Sequence, residues 1–122
     1  MTEQYSTSAL DFEALRRAEE EHDLDAMLNL YADDAEIVIV NRNTPPSSPF
    51  ELHGKEEIAE YLRDVFSREL THRIENEVVG ESRVAFNVAC EYPNGIRVLA
   101  AENLDVRDGK IVRQVEVVAW DE

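Results

Sequence analysis

The chain reads as an α+β fold in which helices and sheet are segregated along the sequence. Three observations predict this. Apolar residues recur at helical spacing in the first half, and from Thr71 onward the period changes to two. The turns Pro93-Asn94-Gly95 and Arg107-Asp108-Gly109-Lys110 then supply strong hairpin signals. The 122 residues suit a single domain over 8–122, preceded by a flexible polar tail at 1–7.

Ser8 is suited to cap a first helix whose apolar positions are Leu10, Ala14, Leu15 and Ala18, with Phe12 widening the stripe. Glu19, Glu20, Glu21 and His22 end it, and Glu19 to Glu21 read as a solvated face. Asp23 opens a second helix through Leu24, Met27, Leu28 and Tyr31. Ala35 to Arg42 is a strand, because Ile37 to Val40 are β-branched and apolar on both faces. Such a run needs both faces covered, or one buried and one contacted by another element. Asn43 to Phe50 holds Pro45, Pro46 and Pro49 and is a loop with limited freedom. Gly54 precedes a third helix, Lys55 to about Arg68, with Ile58, Tyr61, Leu62, Val65 and Phe66 at helical spacing. Four strands follow as a meander: Thr71 to Val79, Arg83 to Tyr92, Ile96 to Arg107, and Lys110 to Trp120.

Twelve Lys and Arg against 27 Asp and Glu leave a formal charge of −15. That excess opposes nucleic acid and anionic membrane surfaces, which need a basic face. No apolar run exceeds the four residues Ile37 to Val40, so no membrane helix is expected, and Met1 to Ala9 lacks a signal-peptide core. Cys90 is the single cysteine and suits a reducing, cytoplasmic setting. Three scattered His residues and one Cys have no metal-ligand spacing, and no phosphate-binding glycine loop or nucleophile elbow is present.

Several segments together resemble the nuclear transport factor 2-like superfamily, in its SnoaL-like and ketosteroid-isomerase-like branch. They are His22-Asp23-Leu24-Asp25-Ala26-Met27, Leu30-Tyr31-Ala32-Asp33-Asp34-Ala35-Glu36-Ile37, Gly54-Lys55-Glu56-Glu57-Ile58, and Asp108-Gly109-Lys110-Ile111-Val112. The resemblance implies a curved antiparallel sheet wrapped around three N-terminal-half helices, a cystatin-like α+β barrel, forming a cone with an apolar cavity. It also implies that the cavity is an active site in some members and a ligand or interaction site in others.

Strand parity then nominates cavity residues. Val84, Phe86, Val88, Cys90 and Tyr92 form one face of the second meander strand, and Val98, Ala100, Glu102, Leu104 and Val106 one face of the third. The last strand is apolar on both faces, so the outer row Ile111, Val115 and Val117 is expected to form a homodimer surface. Polar residues that interrupt the inward face are Glu102, Glu116, Gln114, His72 and Asn76, with Asn41 at the end of the first strand.

Glu102 falls, by the resemblance, where ketosteroid isomerases hold a protonated acid that donates to a developing oxyanion. Burial raises a carboxyl pKa, which suits an acid catalyst, and Glu116 nearby would raise it further. Pairing with an Arg or a helix N-terminus is the structural alternative. His72 is the candidate base, in phase with Ile74; His22 and His53 read as surface residues. Tyr31 and Tyr61 can turn hydroxyls inward, and Phe86, Cys90, Asn41, Gln114 and Trp120 complete the expected ligand-binding set. Two departures matter: Ile39 stands where the isomerases keep their base, and Leu15 where they keep an oxyanion tyrosine. Steroid isomerisation by that route is not expected.

The expectation is therefore binding of a small apolar or aromatic molecule, extended by cofactor-independent acid–base catalysis of isomerase, cyclase or dehydratase type. Glu102, His72 and Glu116 would carry the chemistry. The alternative is a non-catalytic ligand-binding or interaction module of the same fold. An open cavity with Glu102, Glu116 and His72 within hydrogen-bond reach of one another favours the first, and a cone plugged by Phe86, Met27 and Trp120, with Glu102 tied to an Arg, favours the second.

Overall fold

The structure, a computed structural model, describes residues 9–122; Ser8 and the expected tail lie outside them. Asp11 caps the first helix, its carboxylate accepting from the Ala14 amide at 3.1 Å, and α1 runs Phe12–Glu21. His22 ends it in the left-handed region at φ 56°, its amide donating to the carbonyls of Ala18 and Glu19. Asp23 turns the chain at once into α2 (Leu24–Leu28), accepting from the Ala26 amide.

Tyr31 is not helical. It begins β1 (Tyr31–Val40), because its backbone pairs with Ile111 near the chain's end and its ring is buried there. The expected loop before Gly54 also contains a strand, β2 (Phe50–His53), which pairs antiparallel with β1 from Glu36–His53 to Ile39–Phe50. Gly54, at φ +88°, donates its amide to the Ala35 carbonyl and starts α3 (Lys55–Phe66). Then come β3 (Thr71–Val79), β4 (Arg83–Glu91), β5 (Arg97–Arg107) and β6 (Lys110–Trp120). The β5–β6 hairpin closes through Asp108 and Gly109, both at positive φ, as a two-residue Asp-Gly turn requires.

The six strands form one sheet in the order β2-β1-β6-β5-β4-β3. It is antiparallel except between β1 and β6, which run parallel. The helices cover one face: α1 packs on β3, α3 on β1 and β2, and α2 touches both helices. Ile37 and Ile39 point into this core, while Val38 and Val40 are half-buried. The both-sided apolar run of β1 is thus buried on one side and partly covered on the other.

Two irregularities correct the strand parity. A register shift between β5 and β6 at Asp105–Val106 puts Ile111 in the core with Gln114 and Glu116, so Ile111 is no part of an outer row. In β3, Asn76 takes φ 58° at a second shift and is exposed rather than inward. The outer face keeps Leu99 and Val117, 49% and 52% exposed, with Ala101 and Ala119 beside them.

Candidate functional site

Between the helices and the concave sheet face lies a cavity of about 520 Å³, within the range of small-molecule sites. Its wall is mostly apolar, from Met27, Ile39, Leu62, Val88, Ala100 and Val118. Three carboxyl groups interrupt it: Glu19 from α1, Glu102 from β5 and Glu116 from β6. Glu19 is 8% exposed, and Glu102 and Glu116 are each 7% exposed.

Glu102 and Glu116 are direct cross-strand partners, a pairing that sets their side chains on one face. The Gln114 amide lies between them, donating to Glu116 Oε1 at 2.7 Å and more weakly to Glu102 Oε1 at 3.3 Å. The orientation of that amide is set in turn by Tyr31, whose hydroxyl donates to Gln114 Oε1 at 2.5 Å. A buried chain thus runs from β1 through β6 to β5. Among the described residues no Lys or Arg pairs with any of the three carboxyl groups.

Burial separates their protonation behaviour. Desolvation and the charge of Glu116 hold Glu102 well above the usual carboxylate range. Desolvation also raises Glu116, to about 7, but the Gln114 N–H stabilises its anion and limits the rise. Glu19 is pushed to about 8 by burial, then by the charges of Glu116 and Glu20. Glu116 is therefore the first of the three to ionise, while Glu102 stays a neutral hydrogen-bond donor. Burial likewise raises the Tyr31 and Tyr61 hydroxyls, and lifts the Cys90 thiol to about 12, which leaves Cys90 an unreactive wall residue.

His72 lines the same cavity but from β3, with β4 between it and Glu102. Its partners are not Glu102 or Glu116. Nε2 lies 3.7 Å from Glu19 Oε2, and Nδ1 is 2.7 Å from Nε2 of His22. The distance to Glu19 would admit an ion pair, yet burial and the neighbouring His22 lower His72 to about 4 while Glu19 rises, so both are neutral at pH 7. His72 is expected to stay uncharged down to about pH 4, as followed by its Cε1 chemical shift; titration near 6.5 would contradict this arrangement.

Two residues read as surface groups are structural parts of the site. His22 is half-buried, its ring stacked on Phe66 with centroids 5.1 Å apart. Glu19 is buried rather than solvated, whereas Glu20 is half-buried and Glu21 exposed. The sequence did carry a signal for Glu19: it stands four positions after Leu15 and seven after Phe12, on the apolar stripe of the helix.

Nine of the ten expected site residues line the cavity: Glu102, His72, Glu116, Asn41, Tyr31, Tyr61, Cys90, Gln114 and Trp120. Phe86 does not. It packs edge-to-face on Phe12, centroids 5.7 Å apart, deeper in the core. Asn41 commits its carbonyl oxygen to the Asn43 and Thr44 amides in a tight turn. Of the loop that follows, Asn43 reaches the cavity wall and the prolines do not. Among the described residues no group of three His, Cys, Asp or Glu is arranged to hold a metal, and no helix is long and apolar enough to cross a membrane.

Comparison with known proteins gives the same architecture. Residues 12–114 match the family of the SnoaL-like domain. A candidate ketosteroid isomerase from Kribbella flavida DSM 17836 superposes with a TM-score of 0.74 at 14% identity, covering 91% of this chain and 75% of that one. A SnoaL-like protein of unknown function from Burkholderia thailandensis E264 is 26% identical, covers 90% of both chains and has a TM-score of 0.67. A candidate polyketide cyclase from Sinorhizobium meliloti is 16% identical, with coverage of 86% and 91% and a TM-score of 0.65. No curated protein matches the sequence. The matched segment runs from α1 into β6 and includes Glu19, Glu102 and Gln114, and the chain belongs to the SnoaL-like domain family.

Proposed function

We propose that the protein binds a small apolar or aromatic molecule in the cone and performs cofactor-independent acid–base chemistry on it. One observation carries this reading. Glu102 and Glu116 face each other in an open apolar cavity, without a cationic partner and with their pKa values driven apart. Glu102 then donates its proton to a ligand oxygen, Glu116 accepts a proton from carbon or water, and Gln114 with Tyr31 holds both in place. His72, bonded to His22 and 3.7 Å from Glu19, is not the base in this reading. The neighbouring structures described as a ketosteroid isomerase and a polyketide cyclase are in keeping with such chemistry.

The test uses a bicyclic ketone. Bound 2-tetralone is expected to raise the melting temperature, and wild type is expected to accelerate deuterium exchange α to its carbonyl over buffer. Glu116→Gln loses the acceleration, and Glu102→Gln loses both effects. Binding without acceleration in wild type selects the non-catalytic module, and no binding of 2-tetralone or of other aromatic ketones overturns the proposal.

The exposed strip of Leu99, Ala101, Val117 and Ala119 supports a homodimer through the outer sheet face, as the partly apolar surface of two neighbouring strands would leave water on pairing. Sedimentation equilibrium is expected to give twice the 122-residue mass, and Val117→Glu the single mass; a monomeric wild type removes the interface.

A further inference from the structure

The hydrogen-bonding inventory of the cavity is lopsided. Three carboxyl groups bring six oxygens, against the Gln114 amide as the one side-chain donor bonded to any of them among the described residues. Glu19, 8% exposed, has no hydrogen-bond partner there; His72 Nε2 lies 3.7 Å from its Oε2. Tyr31 already donates to Gln114, and Arg68 at the rim is held by Asp64 at 2.6 Å and Tyr92 at 3.5 Å. A ligand that fits this site should therefore bring donors. A ketone or ether is met only by a protonated carboxyl such as Glu102 and leaves the remaining oxygens without donors, and a carboxylate or phosphate meets like charge. An ammonium group brings three donors, no acceptor and the opposite charge.

We propose that the natural ligand is an apolar amine, its ammonium group seated among Glu19, Glu102 and Glu116 and its hydrocarbon against Ile39, Leu62, Val88 and Ala100. This rests on the cavity being a ligand site and names the class of ligand. The proton balance follows from the wall itself. The amine arrives as R–NH₃⁺, and one carboxyl group gives up its proton to solvent so that an ammonium–carboxylate pair forms. Glu116 is the group that yields, since Gln114 stabilises its anion. The other titratable groups lining the cavity are Tyr31 from β1, Tyr61 from α3, His72 from β3 and Cys90 from β4, with Tyr92 just after β4 and Arg68 just after α3. At neutral pH the first four are uncharged and leave the pairing to the acids.

The experiment compares 2-(1-naphthyl)ethylamine, 2-(1-naphthyl)ethanol and 1-naphthylacetate by calorimetric titration in buffers of different ionisation enthalpy. The amine is expected to bind at least tenfold more tightly than the alcohol at pH 8. It should release close to one proton at pH 6, so that its affinity rises about tenfold from pH 6 to pH 8 as the site acid near 7 ionises. Alcohol binding should be independent of pH. Glu116→Gln removes the proton release and most of the amine preference but keeps the alcohol; Glu19→Gln, a second variant, weakens the amine severalfold. Equal binding of amine and alcohol, or tighter binding of naphthylacetate, overturns the amine proposal while leaving the cavity a ligand site. Failure of all three to bind overturns both readings.

Discussion

Stability is expected to fall by about 3 to 5 kcal/mol as the pH rises from about 6.5 to about 8.5, and Glu102→Gln is expected to recover a large part of it. Glu19, Glu102 and Glu116 all hold their protons more tightly in the native cavity than the 4.5 of a free side chain. Above pH 4.5 the unfolded chain has released those protons and the native protein has not. The stabilising contribution is thus complete below 4.5 and is lost as the pH rises through each native pKa. His72 works the other way, being lowered from 6.5 to about 4, so it adds stability as the pH climbs to about 6.5 and nothing beyond. Above 6.5 the carboxyl groups act unopposed.

At about 1.4 kcal/mol per pH unit, above pH 6.5 Glu116, raised to about 7, contributes about 1 kcal/mol of the fall, Glu19, raised to about 8, about 2, and Glu102, which keeps its proton, the rest. The three share one cavity, so their losses are coupled rather than independent. Glutamine at position 102 keeps the shape, accepts from Gln114 and cannot ionise. Urea unfolding followed by the fluorescence of Trp120, the single tryptophan, measures the effect. A wild type whose stability is flat or rising over this range would remove the picture of three buried acids, as would a Glu102→Gln variant less stable at pH 8.5.

Cutting the Tyr31–Gln114 link is expected to cost about 1 to 3 kcal/mol from either end, the usual penalty for an orphaned buried polar group. Tyr31→Phe leaves Gln114 Oε1 without its donor. Gln114→Leu orphans the Tyr31 hydroxyl and also strips Glu116 of its N–H, raising the Glu116 pKa further above 7. The double variant should cost less than the sum of the two, because each single change already pays for the same broken bond. Denaturant midpoints measure the stabilities, and the carboxyl carbon-13 shift of Glu116 reports its titration. Full additivity, or a Glu116 pKa that falls in Gln114→Leu, would mean that the chain of hydrogen bonds does not operate as drawn.

Most of the meander was legible because its signals are local. Asp108-Gly109 is a turn that short-range sterics dictate, and alternation in β4 and β5 assigns Val84, Val88, Glu102 and Leu104 to one face without knowledge of any partner. Gln114 and Glu116 followed from the same alternation. The errors cluster where a distant contact overrides the local pattern. Tyr31 continues a helical spacing, yet β6 captures its backbone. Parallel pairing has no turn to announce it, so the β1–β6 junction that places Tyr31 beside Gln114 leaves no mark in the sequence. Bulges act similarly: one extra residue moves Ile111 inward, and another moves Asn76 outward.

The sequence by itself determined the α+β class, the hairpins, and the inward-facing carboxylates Glu102 of β5 and Glu116 of β6, since steric preference and hydrophobic alternation are properties of neighbours in the chain. Only the tertiary structure decided that Glu19 joins them, that His72 turns to Glu19 and His22 instead, and that Phe86 fills core rather than cavity. The physical reason is that a carboxyl's proton affinity, and therefore its chemistry, is set by desolvation and by charges within a few ångströms. The groups supplying both come from α1, β5 and β6, which only the closed cone brings together.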